Sequence, residues 1–147
     1  MLRVVLDTNV IISGVIANHG APFQILENWR EGEFVVIGSE PILQEIERVF
    51  HYPHIKNRRH LTEQDIETTL QLLRRYGLNT PAELRIEAIV EDREDDKFIV
   101  AAIEGGADYI VSGDRHLKAL DSYQEIRIVS PSEFVQILGV PIAGEHT

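Results

Sequence analysis

Carboxylates are the residues of this sequence best placed to do chemistry. Asp7 follows the apolar run Leu2–Leu6 directly, and Asp114 follows Tyr109-Ile110-Val111 by way of Ser112-Gly113. Glu45 and Glu47 stand among Ile42, Leu43, Ile46 and Val49, and Asp92, Glu94, Asp95 and Asp96 crowd the segment ahead of Phe98-Ile99. Acids that share one cleft repel each other, and Mg²⁺ or Mn²⁺ is the usual hard-cation solution. Such a metal polarises a phosphoryl oxygen and activates water without any nucleophilic side chain. The sequence holds no cysteine, which excludes thiolate metal sites, disulfides and cysteine nucleophiles.

Each acid also has a purely structural explanation. An aspartate after a strand commonly starts a turn, as Asp7 would. The acids at 92–96 lie where a helix dipole favours negative charge, and Asp95 is a good N-cap. Glu45 and Glu47 border opposite edges of one apolar stripe, so periodicity does not choose between them. Asp95 and Asp96 are harder to dismiss. On the wheel of Phe98, Ile99, Ala102 and Ile103 both fall inside the apolar arc, where an acid needs a partner or a cation.

The elements that must position these acids alternate between strand and helix. Leu2–Leu6 is a continuous, branched apolar run, expected to be a strand buried on both faces. A loop is expected over Asp7–Gly20. A helix then starts near Pro22 and closes near Gly32. Phe34–Ile37 reads as a strand, and Ser39 as the cap of a helix carrying Pro41 and the stripe through Phe50. The segment His51–His60 breaks the pattern, and Thr62 caps a long helix ending at Tyr76-Gly77. Ile86–Val90, Tyr109–Val111 and Ile126–Val129 read as strands, with helices over Asp95–Glu104 and Pro131–Leu138. The implied fold class is α/β, a mainly parallel sheet with helices on both faces, as one domain over 1–138 with a loose tail over 139–147. In an open parallel sheet ligands bind outside the carboxyl ends of the strands. Asp7 and Asp114 therefore share an edge with the starts of the Ser39 and Asp95 helices, which supply Glu45, Asp95 and Asp96. Of Asp96 and Asp114, Asp96 is the one expected to carry the greater risk of also capping a helix.

In that order the segments resemble the motifs of the PIN-domain nucleases. Val4-Val5-Leu6-Asp7-Thr8-Asn9-Val10 is similar to their opening motif and Leu43-Gln44-Glu45-Ile46 to the second. Asp92–Ile99 resembles the third, Gly106–Asp114 the fourth, and Ile128–Phe134 the closing strand and helix. The likeness runs to about Leu138 and is nearest to stand-alone prokaryotic PIN proteins that act as toxin components of toxin–antitoxin pairs. It implies a ribonuclease dependent on Mg²⁺ or Mn²⁺, with Asp7, Glu45, Asp96 and Asp114 as the catalytic and metal-binding quartet. Asn9 and Ser112 match polar supporting positions, Ser112 replacing a more usual threonine with its hydroxyl kept. Position 116, often acidic in relatives, is His116, which puts a fifth acid in doubt. The family further implies a homodimer and a cognate antitoxin.

A net charge of −10 argues against a nucleic-acid binder unless the working site carries cations that the sequence does not count. The densest basic region is Arg48, Lys56, Arg58 and Arg59, with Arg74 and Arg75 beyond. Lys56, Arg58 and Arg59 are the candidate RNA contacts, against the alternative of a solvated face. A haloacid-dehalogenase-type phosphatase also places Asp after its first strand, but needs a second Asp two positions on, where this chain has Asn9, which cannot transfer a proton. A non-catalytic PIN-like binding module is the other alternative, disfavoured by the complete quartet. Zinc on His51, His54 and His60 lacks thiolate support. The apolar start is too short for a signal peptide and no run spans a membrane, so a cytoplasmic location is expected.

Overall fold

The computed structural model describes residues 1–58, 61–86 and 95–139. Its order is β1 (Arg3–Leu6), α1 (Thr8–Ile16), α2 (Ala21–Arg30), β2 (Val35–Ser39), α3 (Glu40–Phe50), α4 (Pro53–Lys56), α5 (Glu63–Tyr76) and β3 (Leu78–Thr80). It continues with α6 (Asp96–Gly105), β4 (Tyr109–Val111), α7 (Arg115–Leu120), β5 (Ser122–Tyr123), β6 (Ile126–Val129) and α8 (Pro131–Leu138). The six strands form one sheet in the order β3-β2-β1-β4-β6-β5, parallel except for β5, which runs antiparallel to β6. Helices flank it, and the expected α/β class is the one observed. None of the helices among the described residues is long and apolar enough to cross a membrane.

β1 is central, and Val4, Val5 and Leu6 are all buried, as a strand covered on both faces requires. Its register pairs Val4 with Tyr109 and Leu6 with Val111 of β4, so the two strands end level with each other. The long helix α5 begins with a reciprocal capping box, Thr62 with Asp65. It ends at Gly77, whose backbone is extended rather than left-handed. Glycine is needed there for closeness, since a Cβ would lie 2.3 Å from the Leu73 carbonyl oxygen.

Several expectations are corrected. The expected loop over Asp7–Gly20 contains α1, which buries Val10, Ile11 and Ile12. Gly14 lets α2 approach, for a Cβ there would meet Leu26 and the Pro22 carbonyl at 2.6 Å. The irregular segment after α3 holds the single turn α4. β3, α7 and β5 were not expected, each being too short or too polar to leave a periodic signal. Ser39 stands at the N-cap of α3, but its side chain makes no capping bond. Nor does Asp95 at the start of α6. The strand expected over Ile86–Val90 lies outside the described residues beyond Ile86, as does the tail beyond Gly139.

Candidate active site

The level ends of β1 and β4 bring Asp7 and Asp114 to one edge of the sheet. The Asp7 N–H donates to the Val111 carbonyl at 3.0 Å, continuing the ladder one residue past β1. The residue is 5% exposed, with Oδ2 accepting from the Ser112 hydroxyl at 2.6 Å and Oδ1 from the Asn9 N–H at 3.4 Å. Ser112 is fully buried, and its Oγ also accepts the Asp114 N–H at 2.9 Å. One hydroxyl thus ties the two aspartates together. A methyl group at this position would leave a buried carboxylate oxygen without its donor.

Asp114 does more than face the edge. Its Oδ1 accepts from the His116 and Leu117 N–H groups at 2.8 and 3.1 Å, capping α7. The expectation that capping is the greater risk for Asp96 is therefore corrected, since Asp114 is the one that caps a helix. The reason lies in α7, a helix of six residues that the sequence pattern did not disclose. His116 meets Asp114 through its backbone.

Glu45 arrives from α3. Its Oε2 accepts from the Thr8 hydroxyl, and its Oε1 from the Lys97 ammonium at 2.5 Å, with an Arg48 nitrogen 3.9 Å away. The side chains of Glu45 and Lys97 are only 14% and 15% exposed, so this ion pair is largely screened from water. Glu47, the rival on the other edge of the stripe, is exposed. Packing chooses Glu45 where periodicity did not. Thr8 and Lys97 were not singled out from the sequence, although a lysine directly following an acid run that faces a cleft is a usable signal.

Asp96 opens α6, with Asp95 preceding it; both are half-buried. Each keeps one buried carboxylate oxygen, Asp95 Oδ2 and Asp96 Oδ1, at the start of a helix that buries Phe98, Ile99 and Ala102 in the core. Asp92 and Glu94 lie outside the described residues.

Electrostatics link three of these acids. Burial pushes the Asp7 carboxyl above its ordinary value of 3.8, opposed by the Ser112 and Asn9 hydrogen bonds and reinforced by the charges of Asp114 and Glu45. The structure thus brings Asp7, Asp114, Ser112 and Glu45 into one electrostatic neighbourhood. As they stand, no three acids or histidines among the described residues are grouped closely enough to hold a metal ion. The donor set is nevertheless all carboxylate oxygen, the kind a hard divalent cation takes. The surroundings already place one cation, Lys97, against Glu45. In kind, the residues fit Mg²⁺ or Mn²⁺.

The basic segment divides. Lys56 is bonded to Glu63 of α5, Arg58 is exposed on a groove beside α1, and Arg59 lies outside the described residues. Asn9 is exposed on the same groove. The zinc alternative gains nothing. His51 spends Nδ1 on the Glu47 carbonyl at 2.8 Å and Nε2 on Glu63 at 3.2 Å, His54 stacks obliquely near Tyr52, and His60 lies outside the described residues.

Residues 3–116 match the PIN domain. Over 148 aligned positions the chain is 30% identical to an uncharacterized protein of Methanocaldococcus jannaschii, covering 92% of this chain and 90% of that one. The motifs at Asp7, Glu45, Asp96 and Asp114 all fall inside the matched span. The chain belongs to the PIN-domain family, whose members are typically metal-dependent nucleases.

Proposed function

We propose that this protein is a ribonuclease that hydrolyses RNA phosphodiester bonds with Mg²⁺ or Mn²⁺ held by Asp7, Glu45, Asp96 and Asp114. The supporting observation is the buried Asp7 carboxylate, raised in pKa by burial and by the Asp114 and Glu45 charges at the edge where strand ends converge. A buried carboxylate in the field of two further acids is costly to a fold and worth keeping when a cation completes the site. When bound, the metal would polarise a phosphoryl oxygen and make a water acidic enough to lose a proton and so become the nucleophile.

The chain's own residues do the rest. Ser112 fixes Asp7 through Oγ and holds the backbone of Asp114, so the two acids keep one spacing. Thr8 orients Glu45 from the first residue of α1. Lys97 pairs with Glu45 and so offsets one negative charge of the acidic site, which lowers its repulsion of an incoming phosphate. Asn9 braces Asp7 through its N–H. Without these restraints three carboxylates would drift apart by repulsion.

The finer assignment is the toxin component of a toxin–antitoxin pair, acting as a homodimer. It is supported by the ordered motif set, which is similar to that of such proteins. A panel of structured and unstructured RNAs, incubated with and without manganese beside an Asp7→Asn control, tests the activity. Cleavage only with metal and only by the wild type supports the reading. Binding without cleavage in manganese would make the protein a non-catalytic PIN module. Growth arrest on induced expression that disappears with Asp7→Asn, and a dimeric mass by sedimentation, test the finer assignment.

A further inference from the structure

A groove of about 590 Å³ runs beside α1 and α4, within the roughly 300–1,000 Å³ of sites that take small ligands. Ile12 and Ile16 of α1 and Ile55 of α4 give it an aliphatic lining. Exposed Ser13, Asn57 and Arg58 add a hydroxyl, an amide and a guanidinium. Asn9 lines it as well, and the Asn9 N–H donates to Asp7 at 3.4 Å, so one residue borders both the groove and the acidic site.

Two features separate this groove from a generic surface fold. Its lining combines flat aliphatic surface with groups that both donate and accept hydrogen bonds, which suits the face and edge of a planar heterocycle. Its cation, Arg58, stands at the groove, while Lys56 two residues earlier is turned to Glu63. In a chain of net charge −10, an exposed guanidinium on the groove answers to an anion.

We propose that the groove holds one nucleotide of single-stranded RNA next to the bond cut at the acidic site. The base lies against the isoleucines and bonds to Ser13 and Asn57, and its phosphate meets Arg58. This deepens the ribonuclease reading and rests on it. A base enters such a groove only when unstacked, so the substrate is a single strand, a loop or a bulge rather than a duplex.

Ser13→Trp fills the groove from an exposed helix position, and Asn57→Ala removes one recognition group; neither residue is among the acids. The probe is a short single-stranded oligoribonucleotide whose binding is followed by fluorescence anisotropy in EDTA. In parallel, a random-sequence RNA is digested in manganese and its product ends are sequenced. The wild type is expected to show a base preference beside the cut. Both variants should flatten it, and Asn57→Ala should bind about fivefold more weakly, the loss of one or two hydrogen bonds. Unchanged preference and affinity in both variants, with RNA still cut, overturn the groove assignment alone. A wild type that neither binds nor cuts any RNA overturns the ribonuclease reading and the groove with it. Variants that keep RNA affinity but lose a partner polypeptide would make the groove a protein site and likewise overturn the assignment.

Discussion

Replacing Asp7 with asparagine should stabilise the metal-free protein while abolishing activity. Asparagine keeps the shape, still caps a helix start well, and offers an oxygen to the Ser112 hydroxyl, which now donates at 2.6 Å. Losing the charge assistance of that bond costs about 1 kcal/mol. Against this stands removal of a buried anion from the field of Glu45 and Asp114, where the effective penalty is several kcal/mol per ion. The net gain is on the order of 1–2 kcal/mol, which for a chain of this length raises Tm by roughly 3–8 °C. The pH dependence has a fixed sign. Because the folded pKa lies above 3.8, the destabilisation from the Asp7 anion is fully present above the folded pKa. It is relieved as pH falls toward 3.8, so the two melting curves should converge there. Differential scanning calorimetry in EDTA from neutral to acidic pH measures the gap. Added manganese should then stabilise the wild type by about 2.7 kcal/mol at a hundredfold excess over Kd, and the variant by much less. An Asp7→Asn protein that melts well below wild type in EDTA at neutral pH, yet keeps the whole metal-induced rise, would refute the reasoning.

Lys97→Met should lower the metal-free Tm through a loss of about 1–3 kcal/mol, below the cost of breaking a fully buried pair because Glu45 retains Thr8 and a distant Arg48. A double-mutant cycle with Glu45→Gln, read by thermal melting, should show strong coupling. Arg58→Ala should reduce the slope of log affinity for single-stranded RNA against log salt by about 0.7, whereas Lys56→Ala, already paired with Glu63, should change it little. Titrated by NMR, His51 should show a midpoint above 6.5, raised first by the Glu47 carbonyl and then by Glu63, with Glu63→Gln bringing it part of the way back. Its stabilising contribution is complete below 6.5 and lost as pH rises through the raised value.

Much of this arrangement is legible in the sequence where one physical rule acts alone. Val4, Val5 and Leu6 announce a strand buried on both faces, and the acid that follows such a strand in a parallel sheet must face the ligand edge. That rule places Asp7 and Asp114. The rest depends on reach and packing, which periodicity does not encode. α1 begins with polar Thr8-Asn9 after its cap Asp7 and is interrupted by Gly14, so its helical stripe is masked until α2 is seen packed against that glycine. β3 has three residues and a single apolar one, Leu78, so its place beside β2 is set by pairing that no periodic signal announces. Lys97 follows an acid run that faces the cleft, but its partner Glu45 lies 52 residues away and local pattern does not name it. Asp114 shows the converse, an acid rightly placed at the edge whose second role as a cap depended on an unforeseen short helix.

The central claim is that Asp7, Glu45, Asp96 and Asp114 together make one metal-dependent centre for RNA hydrolysis. Its most direct test is the single-turnover rate of RNA cleavage in manganese for the four amide variants, measured beside Asp92→Asn. Each quartet variant is expected to lose well over tenfold in rate, since each takes a charge from the metal shell. Asp92→Asn is expected to stay within a few-fold of wild type. Cleavage that survives in EDTA, or an Asp92→Asn loss as deep as that of Asp96→Asn, would contradict it.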